Sequence, residues 1–384
     1  MWGLPVDIKS RIDRDGNLNL RGDKTLSSFP TDLLEVRGNL ILRGCTALSS
    51  LPKGLRVGGY LDVSDTKSLF SIPEGLCVGG DLYISDTYIG SLPDDLHVGG
   101  DLYISGCRYL TSLPKGLCVG SLILRDTAIA SLPEGLHVRG YLEFSDSTTL
   151  VSLPEDLHVG KYLALRRFTA LSSLPKGLRV GGNLFLSGCT TLDSLPEGLR
   201  VEGDLDLSGC TALTSLPGGL RVGRDLKLSN TALTSLPDDL HVTRDLVLSG
   251  CRYLTSLPKS LQRVGGDLIL RDTTIASLPE GLHHVCGDLA LSGCTALASL
   301  PEDLHITRDL DLSGCTAIVS LPKGLHVGRD LLVRRCTALA SLPDDLHVGG
   351  RVDLADCTAL DSLDPKDLFV GRYLVLNGRK MSHA

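Results

Sequence analysis

The chain says nearly the same thing over and over. From Gly203 to Leu220 it reads GDLDLSGCTALTSLPGGL, and from Arg224 to Leu240 it reads RDLKLSNTALTSLPDDL. The same sentence stands earlier as GNLILRGCTALSSLPKGL, from Gly38 to Leu55. Roughly seventeen copies of 20 to 22 residues run from Gly16 to Gly371, with a partial last copy ending near Asn377. Such a period excludes an ordinary globule built on unique long-range contacts. Each copy is too small to bury its own apolar face and must stack on its neighbours.

Within a copy, the letters divide by period. In DLDLS, Leu205 and Leu207 point one way, while Asp204, Asp206 and Ser208 point the other, which is strand alternation. Five residues make no stable strand alone, so equivalent strands must pair into a parallel sheet that satisfies their backbone groups. Leu213, Leu216, Leu220 and Val222 continue the apolar lining on the return leg. Pro217 removes a donor there and favours an irregular path over a helix. A second short extended piece is expected at LRVGGDL, before a glycine turn.

The pattern G-x-L-x-L-S-G-C-T-A-L-x-S-L-P-x-x-L is similar to the leucine-rich-repeat signature. Two unit types occur, C-x-x-L as in LSGCTAL and a form one residue shorter as in LSNTAL, with Thr87, Thr127, Thr231 and Thr273 where Asn usually stands. The LPEGL-type strings, as at Leu195 to Leu199, resemble bacterial leucine-rich-repeat proteins with short LPxxL repeats, including the repeat regions of YopM-like and IpaH-like effectors. LDLSGCTALTSLP also looks like the repeats of plant intracellular immune receptors. The resemblance implies a leucine-rich-repeat solenoid. That fold belongs to the α/β class yet is mostly β and irregular: a curved right-handed coil with a parallel concave sheet and little or no α-helix. The expected organisation is a short cap at 1–15, one solenoid at 16–377 and a polar tail at 378–384. The resemblance stops short of the ubiquitin-ligase domain of IpaH-like proteins. The one C-x-D string, Cys286-Gly287-Asp288, lies inside a repeat.

Composition narrows the function classes. Of 384 residues only 4% are aromatic, sparse for a compact catalytic globule. The net charge of −7 and scattered Lys and Arg give no footprint for nucleic acid. There are twelve cysteines and no CxxC, and nine of them (Cys45, Cys107, Cys189, Cys210, Cys251, Cys294, Cys315, Cys336 and Cys357) share one repeat position. They read as small buried hydrophobes, reduced, in a reducing compartment. The first residues, MWGLPVDIKSRIDRDG, lack the apolar stretch of a secretory signal, and no apolar run reaches the roughly 18 residues of a membrane span. The expected location is a cytoplasm, or a host cytoplasm reached by a non-Sec route. Neither cofactor nor metal is expected, and no Ser/His/Asp set or phosphate loop stands out from the repeat background.

Function is therefore sought in the free letters of the strand. Tyr60, Tyr83, Tyr103, Tyr141, Tyr162 and Phe185 form a first candidate strip, with Asp62, Asp81, Asp101 and Glu143 among them. Exposed rings bordered by polar groups anchor protein partners; the alternative is that tyrosine favours strands and covers its cross-strand neighbours. A weaker second strip is Asp204, Asp225, Asp245, Asp267, Asp288, Asp309 and Asp330, read as turn residues accepting backbone N–H groups, as an acidic track for a basic partner or, with thin coordination, as a calcium ladder. Ser112, Ser215, Ser235 and Ser299 read as a structural hydrogen-bonding ladder, and the column His97, His137, His158, His241, His305, His326 and His347 as a solvated position. The leading expectation is a non-catalytic protein-interaction scaffold, effector-like as the resemblance implies, with a protein partner and neither nucleic acid nor membrane. The alternatives are a rod or adhesin self-associating through its ends, and an ice-binding array of Thr46, Thr190, Thr211, Thr295, Thr316 and Thr337.

Overall fold

The computed structural model describes residues 8–145, 150–360, 369–371, 373–376 and 379–382. They fall into two compact units, Met1–Phe185 and Leu186–Ala384. Both are built from one repeated turn of chain carrying two short strands.

The first strand of each turn forms the main ladder. In the N-terminal unit it begins at Leu18, Leu40, Leu61, Leu82, Leu102, Leu122, Leu142, Leu163 and Leu184, each leucine paired in parallel with the next. In the C-terminal unit the same ladder runs through Leu205, Leu226, Leu246, Leu268, Leu289, Leu310, Leu331, Val352 and Leu374. Register never slips, because a slip of one residue would turn the leucines outward. These leucines are almost completely buried, and each contributes about 2 kcal/mol of apolar burial.

The extended piece expected on the return leg is present as a second parallel ladder of Arg-Val, Cys-Val and His-Val pairs. This ladder absorbs the length variation. In the N-terminal unit it is interrupted between Val98 and Cys118, where Val119 stands one residue closer to its main-ladder leucine than Val98 does. In the C-terminal unit it is interrupted between Val242 and Arg263, where Gln262 is one residue extra. The main ladder stays paired past both places. Among the described residues the one helical element is a 3₁₀ turn, Ile8–Arg11. The architecture is a leucine-rich-repeat solenoid with almost no helix.

The turn after each main strand explains which letters vary. Gly209 has φ of 75°, and its counterparts Asp65, Asp86, Asn230 and Asp272 have φ between 56° and 59°. Gly, Asp and Asn, which tolerate left-handed backbone, fill the position in most copies, while Arg167 and Arg335 take it at 61° and 57°. The next position is the cysteine column, and its thiols do more than fill space. Cys210, Cys294 and Cys315 donate from Sγ to the carbonyl oxygens of Leu186, Leu270 and Leu291, at 3.2, 3.0 and 3.1 Å. In the shorter units Thr231 and Thr273 occupy the slot and donate from Oγ1 to Leu228 and Leu270 oxygens, each at 2.8 Å.

The serine ladder needs correction. Ser112, Ser215, Ser235 and Ser299 have exposed side chains. Ser277 and Ser299 meet through a backbone bridge, as do Ser71 and Ser91. The buried Cys and Thr column takes the role assigned to serine.

The first main strand of the N-terminal unit and the last of the C-terminal unit each carry antiparallel pairing. Ile12 bridges Leu18 in antiparallel fashion, and Asp13 N donates to Asn17 O at 3.0 Å. In the C-terminal unit Arg379–Ser382 is a strand, antiparallel to Tyr373–Leu376, where the sequence suggested only a tail.

A candidate recognition surface on the main ladder

With leucines inward, the residues just before and just after each ladder leucine face outward. The aromatic residues use both columns. Tyr60, Tyr141 and Tyr162 precede their leucines, whereas Tyr83, Tyr103 and Phe185 follow theirs. Carboxylates fill the complementary place: Asp62 after Tyr60, Asp81 before Tyr83, Asp101 before Tyr103 and Glu143 after Tyr141. The outer face of the N-terminal unit is therefore a checkerboard of rings and carboxylates.

Strand spacing makes the rings touch. Tyr83 and Tyr103 stack at 4.6 Å between centroids, 8° from parallel, and Tyr60 meets Tyr83 edge-on at 6.0 Å. Tyr141 and Tyr162 stack at 4.9 Å and 4°, and Phe185 meets Tyr162 at 6.1 Å. The strip is thus two stacked groups. The strand bearing the buried Ile123 lies between them. All six rings are half-buried, packed chiefly against one another.

The carboxylates aim the rings. Asp81 Oδ1 accepts the backbone N–H of Asp101 at 2.8 Å, and its Oδ2 accepts the Tyr83 hydroxyl at 3.2 Å. Asp101 repeats the arrangement, with Ser121 N at 2.6 Å and the Tyr103 hydroxyl at 3.2 Å. Burial, with the Asp81 charge and hydrogen bond adding to it, pushes the Tyr83 phenol up to about 12. Burial and the Tyr141 phenol raise that of Tyr103 further, and burial beside Glu143 raises that of Tyr162. Around the second group, Arg125 pairs with Glu143 and the Arg166 guanidinium lies 5.1 Å over the Phe185 ring.

The aspartate strip of the C-terminal unit is a hydrogen-bond ladder. Oδ1 of Asp204, Asp225, Asp245, Asp267, Asp288 and Asp309 each accepts the backbone N–H of the next aspartate, at 2.8 to 3.4 Å. Asp330 does the same for Arg351 N at 3.0 Å. One oxygen of each carboxylate is thereby committed, which offsets the like-charge repulsion along the column. The preceding glycines make room for this: a Cβ on Gly266 or Gly287 would collide with the carboxylate of Asp245 or Asp267. Arginine replaces that glycine at Arg224, Arg244, Arg308 and Arg329, with ladder bonds of 3.3, 3.4, 3.1 and 2.9 Å, and at the two longest the arginine is also ion-paired. There the guanidinium pairs with the aspartate below, Arg224 with Asp204 at 3.6 Å and Arg244 with Asp225 at 3.8 Å.

The C-x-D string is absorbed in the same way. Asp288 is a rung of that ladder, and Cys286 Sγ accepts Arg263 Nη2 at 3.0 Å. The six threonines considered for ice binding lie in turns, not on a strand. The histidines sit on the second ladder and stack where they are neighbours: His137 and His158 at 5.1 Å, and His284, His305, His326 and His347 in succession at 4.9, 4.4 and 4.5 Å. Burial and the neighbouring imidazoles lower His284 and His326.

Sequence reasoning passed over the most exposed rings. Phe70, Tyr88 and Tyr109 are 62%, 45% and 61% exposed on the turns after the main strands, and Tyr253 is 66% exposed. Tyr88 and Tyr109 meet edge-on at 5.4 Å, with Lys67 Nζ 5.5 Å above the Tyr88 ring. The signal for the tyrosines was a departure from the repeat: SGCRYLTSLPK occurs at Ser105–Lys115 and again at Ser249–Lys259, with Tyr where most copies carry Ala.

No family model and no curated protein matches the chain. Among solved structures it is similar to a leucine-rich repeat protein from Bacteroides ovatus ATCC 8483, at 15% identity and a TM-score of 0.35, over 89% of this chain and 90% of that one. It is also similar to YopM from Yersinia enterocolitica WA-314, at 20% identity and a TM-score of 0.29, over 90% and 93%. At these values neither likeness bears on what this chain binds. Among the described residues no helix is long and apolar enough to cross a membrane.

Proposed function

We propose that the chain is a non-catalytic protein-interaction scaffold whose recognition surface is the ring-and-carboxylate checkerboard of the N-terminal unit. One observation carries this reading: six aromatic side chains, in a chain with only 15 Phe and Tyr residues, are gathered on the outer face of seven successive strands, of which the one bearing Ile123 alone lacks a ring. Stacking does not need that face, since the leucines beneath already hold the turns together. Pre-stacked rings lose little side-chain entropy on binding, which favours their use as anchors. The carboxylates at Asp62, Asp81 and Asp101 suit a partner segment with basic residues around an apolar one, its cations over the ring faces. An effector-like role in a host cytoplasm belongs to this proposal as the setting that the sequence resemblance suggests.

The aspartate column gives less support to a partner site, because no ring stands beside its carboxylates on the strands. The test replaces Tyr83, Tyr103 and Tyr141 with Ser together. The far-UV circular dichroism should be unchanged, and proteins captured by the wild-type chain should be lost. Capture of the same proteins by the folded triple variant would refute the assignment.

A further inference from the structure

The interruption of the second ladder at Gln262 opens a cleft. Elsewhere the return-leg leucine and the ladder valine are buried, as in Leu220 and Val222 or Leu282 and Val285, all at 0% exposure. Beside the extra residue Leu240, Val242 and Leu261 are half-exposed instead. Among the described residues no backbone hydrogen bond joins Leu240 or Val242 to Arg263 or Gly265. The two turns splay here, leaving a cavity of about 500 Å³, within the range of small-molecule sites. The opening is a wedge. At its far end Gly265 still sits so close to the Thr243 oxygen that a Cβ would collide with it. That closure leaves no room for an additional strand and points to a compact ligand.

The lining has two parts. The floor is apolar, from Leu236, Leu240, Val242, Leu246, Leu261 and Val264. The rim carries Arg221, His241 and Arg263, all exposed. Among the described residues neither arginine is in an ion pair, and Arg263 spends Nη2 on Cys286 Sγ. Asp238 and Asp239 also reach the rim, with Asp239 Oδ2 accepting Gly219 N at 2.7 Å. Two guanidiniums beside an apolar floor suit an anionic head on a hydrocarbon body, and the two aspartates disfavour a multiply charged head.

We propose that this wedge binds a small amphipathic monocarboxylate, its hydrocarbon on the leucine floor and its carboxylate between Arg221 and Arg263. The test titrates decanoate into the full chain by calorimetry, below its micelle concentration, beside decyltrimethylammonium as a control with a similar tail and opposite charge. Decanoate should saturate at one equivalent per chain and the cation should not. Arg221→Gln with Arg263→Gln should weaken decanoate tenfold or more. Deletion of Gln262 should abolish binding and raise the melting temperature by closing the ladder. Absence of saturable decanoate binding, or equal binding of the cation, would overturn the proposal. Should the deletion variant not fold, the double arginine variant decides, and an unchanged affinity there overturns it as well.

Discussion

Asp267 Oδ1 accepts the backbone N–H of Asp288 at 2.8 Å, across a gap that Gly287 keeps open by having no side chain. Carboxylate and glycine are thus one device shared between neighbouring turns. Gly287→Ala should destabilise the C-terminal unit by about 1–3 kcal/mol, because the methyl group must displace backbone as well as carboxylate. Asp267→Ala should cost about 1–2 kcal/mol by orphaning a half-buried N–H. Lys227→Ala, on an exposed outward position, should stay within about 0.5 kcal/mol. Urea unfolding of the three variants checks the order.

The cysteines should separate by reactivity. Cys118 is exposed, whereas Cys210 and Cys315 are fully buried. Burial and the neighbouring thiol of the column push both up to about 12, so little thiolate forms near neutrality. Iodoacetamide followed by mass spectrometry should label Cys118 first in the native chain and Cys210 and Cys315 only after denaturation.

The tyrosine strip should report on alkaline pH. The fold raises the Tyr83 phenol from 10 to about 12. Above pH 10 the unfolded chain releases protons that the native chain still holds, so stability falls as pH rises. The contribution from Tyr83 is complete below pH 10 and is lost between about pH 10 and 12. Phenolate absorbance should lag that of free tyrosine, and the lag should shrink in Tyr83→Phe.

The stacked histidines carry the opposite sign. His284 and His326 are lowered from 6.5. Below pH 6.5 the unfolded chain takes up protons that the native stack resists, so stability is present above that pH and is lost as pH falls through the lowered values. The melting temperature should drop on acidification from pH 7 to 5, and less steeply in His326→Gln.

Self-association through the ends should be weak. The Ile12–Leu18 bridge and the Arg379–Ser382 strand are both antiparallel, which interrupts the parallel pattern a second copy would extend. Light scattering over a concentration series should give a monomeric mass throughout, and a rising mass would restore the rod reading.

What could be read in advance followed the period. Leu205, Leu226 and Leu246 announce themselves by alternation and recurrence, so the main ladder and its register were legible. The ring positions were legible too, but not their grouping. That depends on whether a ring precedes its leucine, like Tyr141, or follows it, like Tyr83. The cysteine column was legible as buried but not as donating, because a thiol hydrogen bond leaves no pattern distinct from an apolar filler. The wedge lies where the insertion first enters, at Gln262; the next copy repeats it at His283 with the ladder still paired, and a tolerant repeat alignment passes over both. The last strand was signalled by Asn377-Gly378 between Tyr373–Leu376 and Arg379–Ser382, a dipeptide favoured in two-residue hairpin turns.

The central claim is that partners meet the rings of the N-terminal unit. Site-specific photo-crosslinking tests it most directly, with a benzophenone amino acid placed at Tyr103 and, separately, at Lys227, which occupies the same outward position in the C-terminal unit. Irradiation with a bound partner should give adducts from position 103 and none from position 227. Adducts from 227 with none from 103 would contradict it.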